Sequence, residues 1–388
     1  MNPLLKPFFR SSIILPFQEE EWLLKACLSQ HKEEALENFN LWLDFHGFEV
    51  EEIPRGHILP TIYDSLEMGS KKLLPLVYKN FKQLGVEHRA VQQFEGYYKH
   101  TWYKNQLLRK QCTDFTQMLN EANIDYFLTK GLPLITRYYQ DFGARPTSDI
   151  DMVIKQENWE ETVTLLEKSG WKPLLPHRDH RKIPASHVLH ALTFVKGNFQ
   201  LDLHWRFSHS VFHVNWSKAE IFQYVENPTK EMRCLNDTLN FILIIVHGVK
   251  LNPMRPIRWV TDAVNILRTG NINWDTVYRF AQDNKLKSPL FEALQYLNEK
   301  GFCTIPNQVL TDLSNTKKVD FFSLMETRLA TKFQFLRATY LSFYLTDNPI
   351  AGLRLLKRHY QYTWNCDSNI ILLILILKKI NTKFISRS

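Results

Sequence analysis

Two spacings of apolar residues alternate along the chain. From residue 17 to about 122, apolar positions recur every three or four residues, as in Glu19-Glu-Glu-Trp-Leu-Leu-Lys and Ala35-Leu-Glu-Asn-Phe-Asn-Leu-Trp-Leu, which predicts amphipathic helices. Pro54, Gly56 and Pro60 mark a loop between them. The longest helix is predicted from about Glu87 to Ala122. Its stripe of Phe94, Tyr97, Tyr98, Trp102, Leu107, Leu108, Phe115, Met118 and Leu119 reads as a core face, with an aromatic platform for bases as the alternative. No internal repeat is evident.

Between residues 123 and about 208 the period shortens. Ile124 to Thr129 is apolar and β-prone, Lys130-Gly131 breaks it, and Pro133 suits the first turn of a helix. A second strand begins at Ser148-Asp-Ile-Asp-Met-Val-Ile154, followed by a helix from Glu157 to Ser169 closed by Gly170, and by a short strand at Trp171–Leu175. Ala191 to Val195 and Phe199 to Trp205 flank Lys196-Gly197-Asn198, which reads as a hairpin. Past Lys230 the chain is predicted helical again: Asn236 caps a fully buried helix ending at Gly248, a second follows from Arg258, and others cover about 274–299, 318–345 and 350–361.

Candidate chemistry gathers in the mixed segment. Asp149 and Asp151, at i and i+2 of one strand, point to one face; their mutual repulsion makes a divalent cation the natural partner. In Gln200-Leu-Asp-Leu-His-Trp205, Asp202 shares a face with Gln200 and His204, and a carboxylate there needs a partner, so it is a candidate to join the pair. His204 meets a second substrate or hydrogen-bonds Asp202, with a satisfied strand histidine as the equal alternative. His177, His180, His187 and His190 have HxxH spacings that suggest zinc, but no cysteine accompanies them, and a polar flap over the site is the other reading.

Composition narrows the class. With 388 residues, 44% hydrophobic and 13% aromatic, the chain buries more than one core. The net charge is +8, but residues 351–388 hold seven Lys/Arg against Asp367, so the remainder is nearly balanced and a general nucleic-acid surface is not indicated. Cys27, Cys112, Cys234, Cys303 and Cys366 never form a CxxC pair and suit reduced thiols in the cytoplasm. Ile13-Ile-Leu15 stops at Pro16, too short for a signal h-region. The longest apolar run, Ile370–Leu377, is eight residues, far below the ~20 that span a bilayer. A soluble, cytoplasmic protein is expected. The tail, apolar and then basic at Lys378-Lys379, is read as a buried terminal element, with membrane-surface contact as the weaker alternative.

Lys130-Gly131, Arg145…Ser148-Asp-Ile-Asp-Met-Val-Ile154 and Leu201-Asp-Leu-His-Trp205, in that order, resemble the nucleotidyltransferases of the DNA polymerase β-like superfamily. The likeness is to a putative bacterial branch, whose helical C-terminal signature is similar to Val246-His-Gly-Val-Lys250 and Ile257-Arg-Trp-Val-Thr-Asp-Ala263. It covers about residues 60 to 285.

The resemblance implies an α+β fold: an N-terminal helical region at 1–122, a nucleotidyltransferase core at 123–208 and a C-terminal helical region at 209–388. It implies Mg²⁺-dependent, two-metal transfer of a nucleoside monophosphate from an NTP, with release of pyrophosphate. Asp149, Asp151 and Asp202 would hold two Mg²⁺ ions. Gly131 would let the backbone and the following helix start approach the phosphates. Lys130, Arg145, His204 and Arg258 would contact the nucleotide, with His247, Lys250 and Asp262 on the far wall. The acceptor is a protein, a sugar phosphate or RNA.

Leu132 stands where the superfamily has Gly or Ser, so the turn offers no hydroxyl to a phosphate; Lys130 or Arg145 could replace it by charge. For Lys130 the plain alternative is a strand-end solvent charge. For Arg145 it is pairing with Asp149 or Asp151, and for Arg258 an i,i+4 pair with Asp262. The rival functions are a catalytically inactive module of the same fold, binding nucleotide or a protein, and an RNA-binding protein using the aromatic helix and basic tail.

Overall fold

The computed structural model describes residues 15–48, 62–63, 66–175, 180–183, 190–206, 221–229, 232–249, 257–284, 286–314, 349–363 and 368–371. The fold is α+β: a mixed sheet with helices on both faces. The 318–345 helix, Lys250, His177, His187 and most of the 370–388 tail lie outside the described residues. No helix among the described residues is long and apolar enough to cross a membrane.

Helices α1 (Gln18–Leu28), α2 (Lys32–Phe45), α3 (Met68–Lys71), α4 (Leu74–Leu84), α5 (Arg89–Gln93) and α6 (Glu95–Glu121) precede the sheet. The predicted stripe of α6 needs correction. Its buried seam runs through Thr101, Asn105, Leu108, Cys112, Phe115 and Leu119, a strict alternation of four and three, while Trp102 and Leu107 are 48% and 38% exposed. Asn105 sits in the seam because the chain it faces is polar. Asn105 Nδ2 donates to the carbonyls of Phe142 and Arg145, at 2.7 and 2.9 Å, and so anchors the loop before the Asp149 strand. Trp102 and Leu107, each one position off the seam, turn to solvent, whereas Thr116, one position past Phe115, is buried beside it.

Among the described residues the sheet has strand order β3-β4-β5-β2-β1-β7-β6: β1 (Tyr126–Thr129), β2 (Asp149–Ile154), β3 (Lys172–Pro173), β4 (Ala191–Lys196), β5 (Phe199–His204), β6 (Val225–Thr229) and β7 (Met232–Leu235). β1 runs antiparallel to β2, and β2 parallel to β5. The hairpin at 191–204 and the short strand at 172–173 stand as the sequence predicts. β6 and β7 do not, since that stretch reads as connector and helix. β6 is an exposed edge carrying Pro228, and β7 is four residues long, parallel to β1, which leaves little periodicity to detect.

The pleat sorts the two faces. Ile150, Met152, Ile154, Leu201 and Leu203 point into a core shared with α6 and α8 (Trp159–Lys168). Phe127 and Val153 point the other way, into a larger core that also holds α1, α2, α4 and the later helices α9 (Asp237–Gly248), α10 (Arg258–Thr269), α11 (Trp274–Asp283) and α12 (Lys287–Glu299). α9 is buried almost all round, and the Asn236 side chain accepts from Leu239 N at 3.0 Å as its cap. α13 (Asn307–Ser314) and α14 (Pro349–Thr363) follow.

Candidate functional site

Asp149 and Asp151 lie on the Val153 side of β2, as the period-two reading requires. Parallel pairing sets Asp151 directly beside Asp202, and antiparallel pairing on the other flank sets it beside Thr129. Thr193 of β4 lies opposite Asp202. Thr129, Asp151, Asp202 and Thr193 thus form one row across four strands. A slip of one residue in either register would turn the slipped strand's member of the row toward the apolar core.

Each carboxylate has a different environment. Asp151 is buried, and its Oδ1 receives Lys130 Nζ at 2.7 Å and faces His204 Nε2 at 3.0 Å. Burial alone would raise this carboxyl, but the Lys130 charge and the hydrogen bond from His204 hold it well below the usual range. Asp202 Oδ1 accepts from Thr193 Oγ1 at 2.7 Å and Gln200 Nε2 at 3.3 Å. Asp149 is partly buried and has no hydrogen bond or ion pair among the described residues. Burial, then the charges of Asp151 and Asp202, raise its pKa. His204 therefore braces Asp151, not Asp202, while its Nδ1 is buried without a partner.

Lys130 reaches Asp151 from a costly backbone. It sits at φ 58°, ψ −118°, between the end of β1 and α7 (Gly131–Leu134), a four-residue turn that widens into a π turn at Ile135–Tyr139. The side chain is neither a free strand-end charge nor a fully open one, at 22% exposed. Gly131 is needed for a close approach, since a Cβ there would collide with the Thr147 side chain.

The facing wall is cationic. Arg145 Nε and Nη2 donate to the two oxygens of Asp262 at 2.7 and 2.8 Å, and Tyr139 Oη donates to Asp262 Oδ1 at 2.7 Å. The Arg145 expectation is corrected accordingly: its partner is Asp262 of α10, 117 residues on, not Asp149 or Asp151. Asp262 being taken, the expected Arg258–Asp262 pair is not made; Arg258 Nη1 instead donates to the Pro146 carbonyl at 2.7 Å. Nη1 of Arg145 is buried and unpartnered.

A cleft of about 360 Å³ lies between the two walls, lined by Lys72, Lys130, Gly131, Arg145, Asp149, Asp151, His247, Arg258 and Asp262 among others. It thus brings together eight of the expected residues. Asp202 and His204 stand behind it, on the strand beside Asp151. Lys72, at the junction of α3 and α4, was absent from the sequence reading. One lysine of the Lys71-Lys72 pair on a helical stretch carries no signal of its folding against a strand some 77 residues away.

For a cation the donor chemistry fits: three carboxylates on adjacent strands, one unpaired and repelled by the other two, suit a hard, oxygen-seeking ion. Convergence does not yet follow. Among the described residues no three His, Cys, Asp or Glu side chains are grouped to hold a metal ion, and the Lys130 ammonium fills that role at Asp151. His180, the described member of the first HxxH pair, is bonded to Glu167 at 2.7 Å.

A family model described as uncharacterised nucleotidyltransferase matches residues 68–300, more than half of the chain. No curated protein matches. Among solved structures, the chain is similar to an antigenic nucleotidyltransferase-like protein from Paracoccidioides brasiliensis. The identity is 15% and the TM-score 0.34, over 55% of this chain and 95% of that one.

Proposed function

The chain belongs to the family of uncharacterised nucleotidyltransferases, and from that premise we propose that its cleft moves a nucleoside monophosphate from an NTP to an acceptor, releasing pyrophosphate. The proposed core is polymerase-β-like, begins near residue 123 and, counting β6 and β7, runs to about 235, beyond the 208 expected; the remaining helices flank it. The observation that carries the reading is Asp149 and Asp151 facing a cationic wall across the cleft, with Asp202 beside Asp151 on the next strand.

In this reading Asp149, Asp151 and Asp202 would hold Mg²⁺, which when bound supplies charge neutralisation at phosphorus and activation of the acceptor hydroxyl. Everything else is done by the chain. His204 Nε2 fixes the rotamer of Asp151. The buried Arg145–Asp262 fork fixes the loop leading into β2, so that the carboxylates and the far wall keep their spacing. Lys130 neutralises part of the charge on Asp151 and stands at the mouth of the turn that faces the phosphates. The charges are thus in place before substrate arrives, the arrangement that makes positioning and electrostatics effective in such transfers.

The test is Mg²⁺-dependent label transfer from a panel of NTPs to a mixed acceptor pool of protein, sugar phosphates and RNA. Asp149→Ala and Asp151→Ala should each lower turnover by at least about 10³-fold, the loss of a centrally placed electrostatic group. Transfer that survives both substitutions would overturn the reading. NTP binding without turnover, whatever the acceptor, would leave a nucleotide-binding module.

A further inference from the structure

The cations of the cleft are not equally engaged. Lys130 is held by Asp151 and Arg145 by Asp262. Lys72 is different: it is partly buried, lines the cleft, and makes no hydrogen bond or ion pair among the described residues. Arg258 commits one nitrogen to the Pro146 carbonyl and makes no other hydrogen bond there. Arg145 retains a buried Nη1 without a partner. A buried donor left unmade is costly, and a partly buried ammonium with no ion pair of its own adds to that cost, so these groups invite an anion.

These groups also repel one another. The Lys72 ammonium is disfavoured by burial and by Arg258, and Asp149 offsets this only in part. Arg258 is disfavoured by burial and by Arg145. With the two ion pairs set aside, Lys72 and Arg258 face Asp149 as the one unpaired carboxylate lining the cleft, and that carboxylate belongs to the proposed cation site. What the wall lacks is negative charge. Leu132 removes the hydroxyl that the turn would otherwise offer to a phosphate, and α7 is too short to substitute for it.

We propose that Lys72, with Arg258 and the unpartnered Nη1 of Arg145, forms the seat of the two distal phosphates of the NTP and of the pyrophosphate that leaves. The assignment rests on the nucleotidyl-transfer reading and adds to it a residue from outside the expected core. Lys72 comes from the helical region before the sheet, so that region completes the substrate site and does not merely support it. Three donors from separate segments (the α3–α4 junction, the loop before β2 and the start of α10) suit a polyphosphate better than a single anionic group, since their charges are spread along the wall.

Calorimetric titration of the full chain with inorganic pyrophosphate, the preferred NTP and the matching nucleoside monophosphate tests this. Lys72→Met should weaken pyrophosphate and NTP by about 10- to 100-fold, the range of one charge-assisted contact. It should leave the monophosphate unchanged, and Lys72→Arg should recover most of the loss. Circular dichroism and melting curves identical to the parent's exclude misfolding. Unchanged pyrophosphate affinity in a folded Lys72→Met, or an equal loss for monophosphate, overturns the seat even if transfer proceeds. Pyrophosphate binding that needs Lys72 in a protein that transfers nothing keeps the seat and sinks the reaction. A parent chain that binds neither pyrophosphate nor NTP sinks the seat outright.

Discussion

Lys130 combines an electrostatic gain with a conformational cost. Its ammonium meets a buried carboxylate at 2.7 Å, yet its backbone occupies a region that glycine enters freely and lysine does not. Replacing it by alanine removes the ion pair and keeps the cost; replacing it by glycine removes both. Lys130→Gly should therefore be more stable than Lys130→Ala by about 1–2 kcal/mol in urea denaturation, and both should be less stable than the parent at neutral pH because Asp151 is left buried and charged. Equal stability of the two variants would show that the conformation costs nothing. At this scale the sequence was half legible. Spacing alone placed Asp149 and Asp151 on one face, because the strand period is a local property, and the cost of an unpartnered carboxylate made Asp202 a candidate to join them. It could not assign partners: Arg145 and Asp262 meet across 117 residues, Arg258 loses its helical neighbour to that pair, and Lys72 arrives from a different element.

Elements carry the same lesson. The hairpin, the Asp149 strand and the capped, largely apolar α9 were legible because alternation, turn residues and an Asn cap act locally. The seam of α6 was misread by following hydrophobicity alone: it passes through Asn105, whose amide serves two loop carbonyls, and leaves Trp102 in solvent. Asn105→Ala should cost about 1–3 kcal/mol for the buried carbonyls it strands, and should weaken NTP binding by loosening the Arg145 loop. Trp102→Ser should shift stability by no more than about 0.5 kcal/mol. Chemical denaturation of the two variants checks both values, and the reverse ranking would put the core on the aromatic face instead.

The whole molecule is tied together across the family-matched span and beyond it. α1 precedes residue 68, yet Leu23 and Leu24 are fully buried in the same core as Leu239, Val260 and Leu294. Arg268 Nη2 of α10 donates to the Leu28 carbonyl at 2.6 Å, and Lys300 pairs with Glu21 at 2.8 Å. α10 also carries Arg258 and Asp262, so the first helices brace the cationic wall of the cleft from behind. A fragment of residues 68–300 should therefore lack a cooperative melt, having exposed one side of the larger core. Within the full chain, Leu24→Ala should cost about 2–5 kcal/mol, the range for emptying a packed leucine site. The effect should extend to function: at temperatures where Leu24→Ala remains folded, pyrophosphate affinity should fall, because the helix bearing Arg258 loses its backing. Calorimetry on the fragment and titration of the variant test the two halves. A fragment that melts cooperatively and binds pyrophosphate like the whole chain would mean that α1 and α2 form a separate unit, and that the wall is held by the sheet and α9 alone.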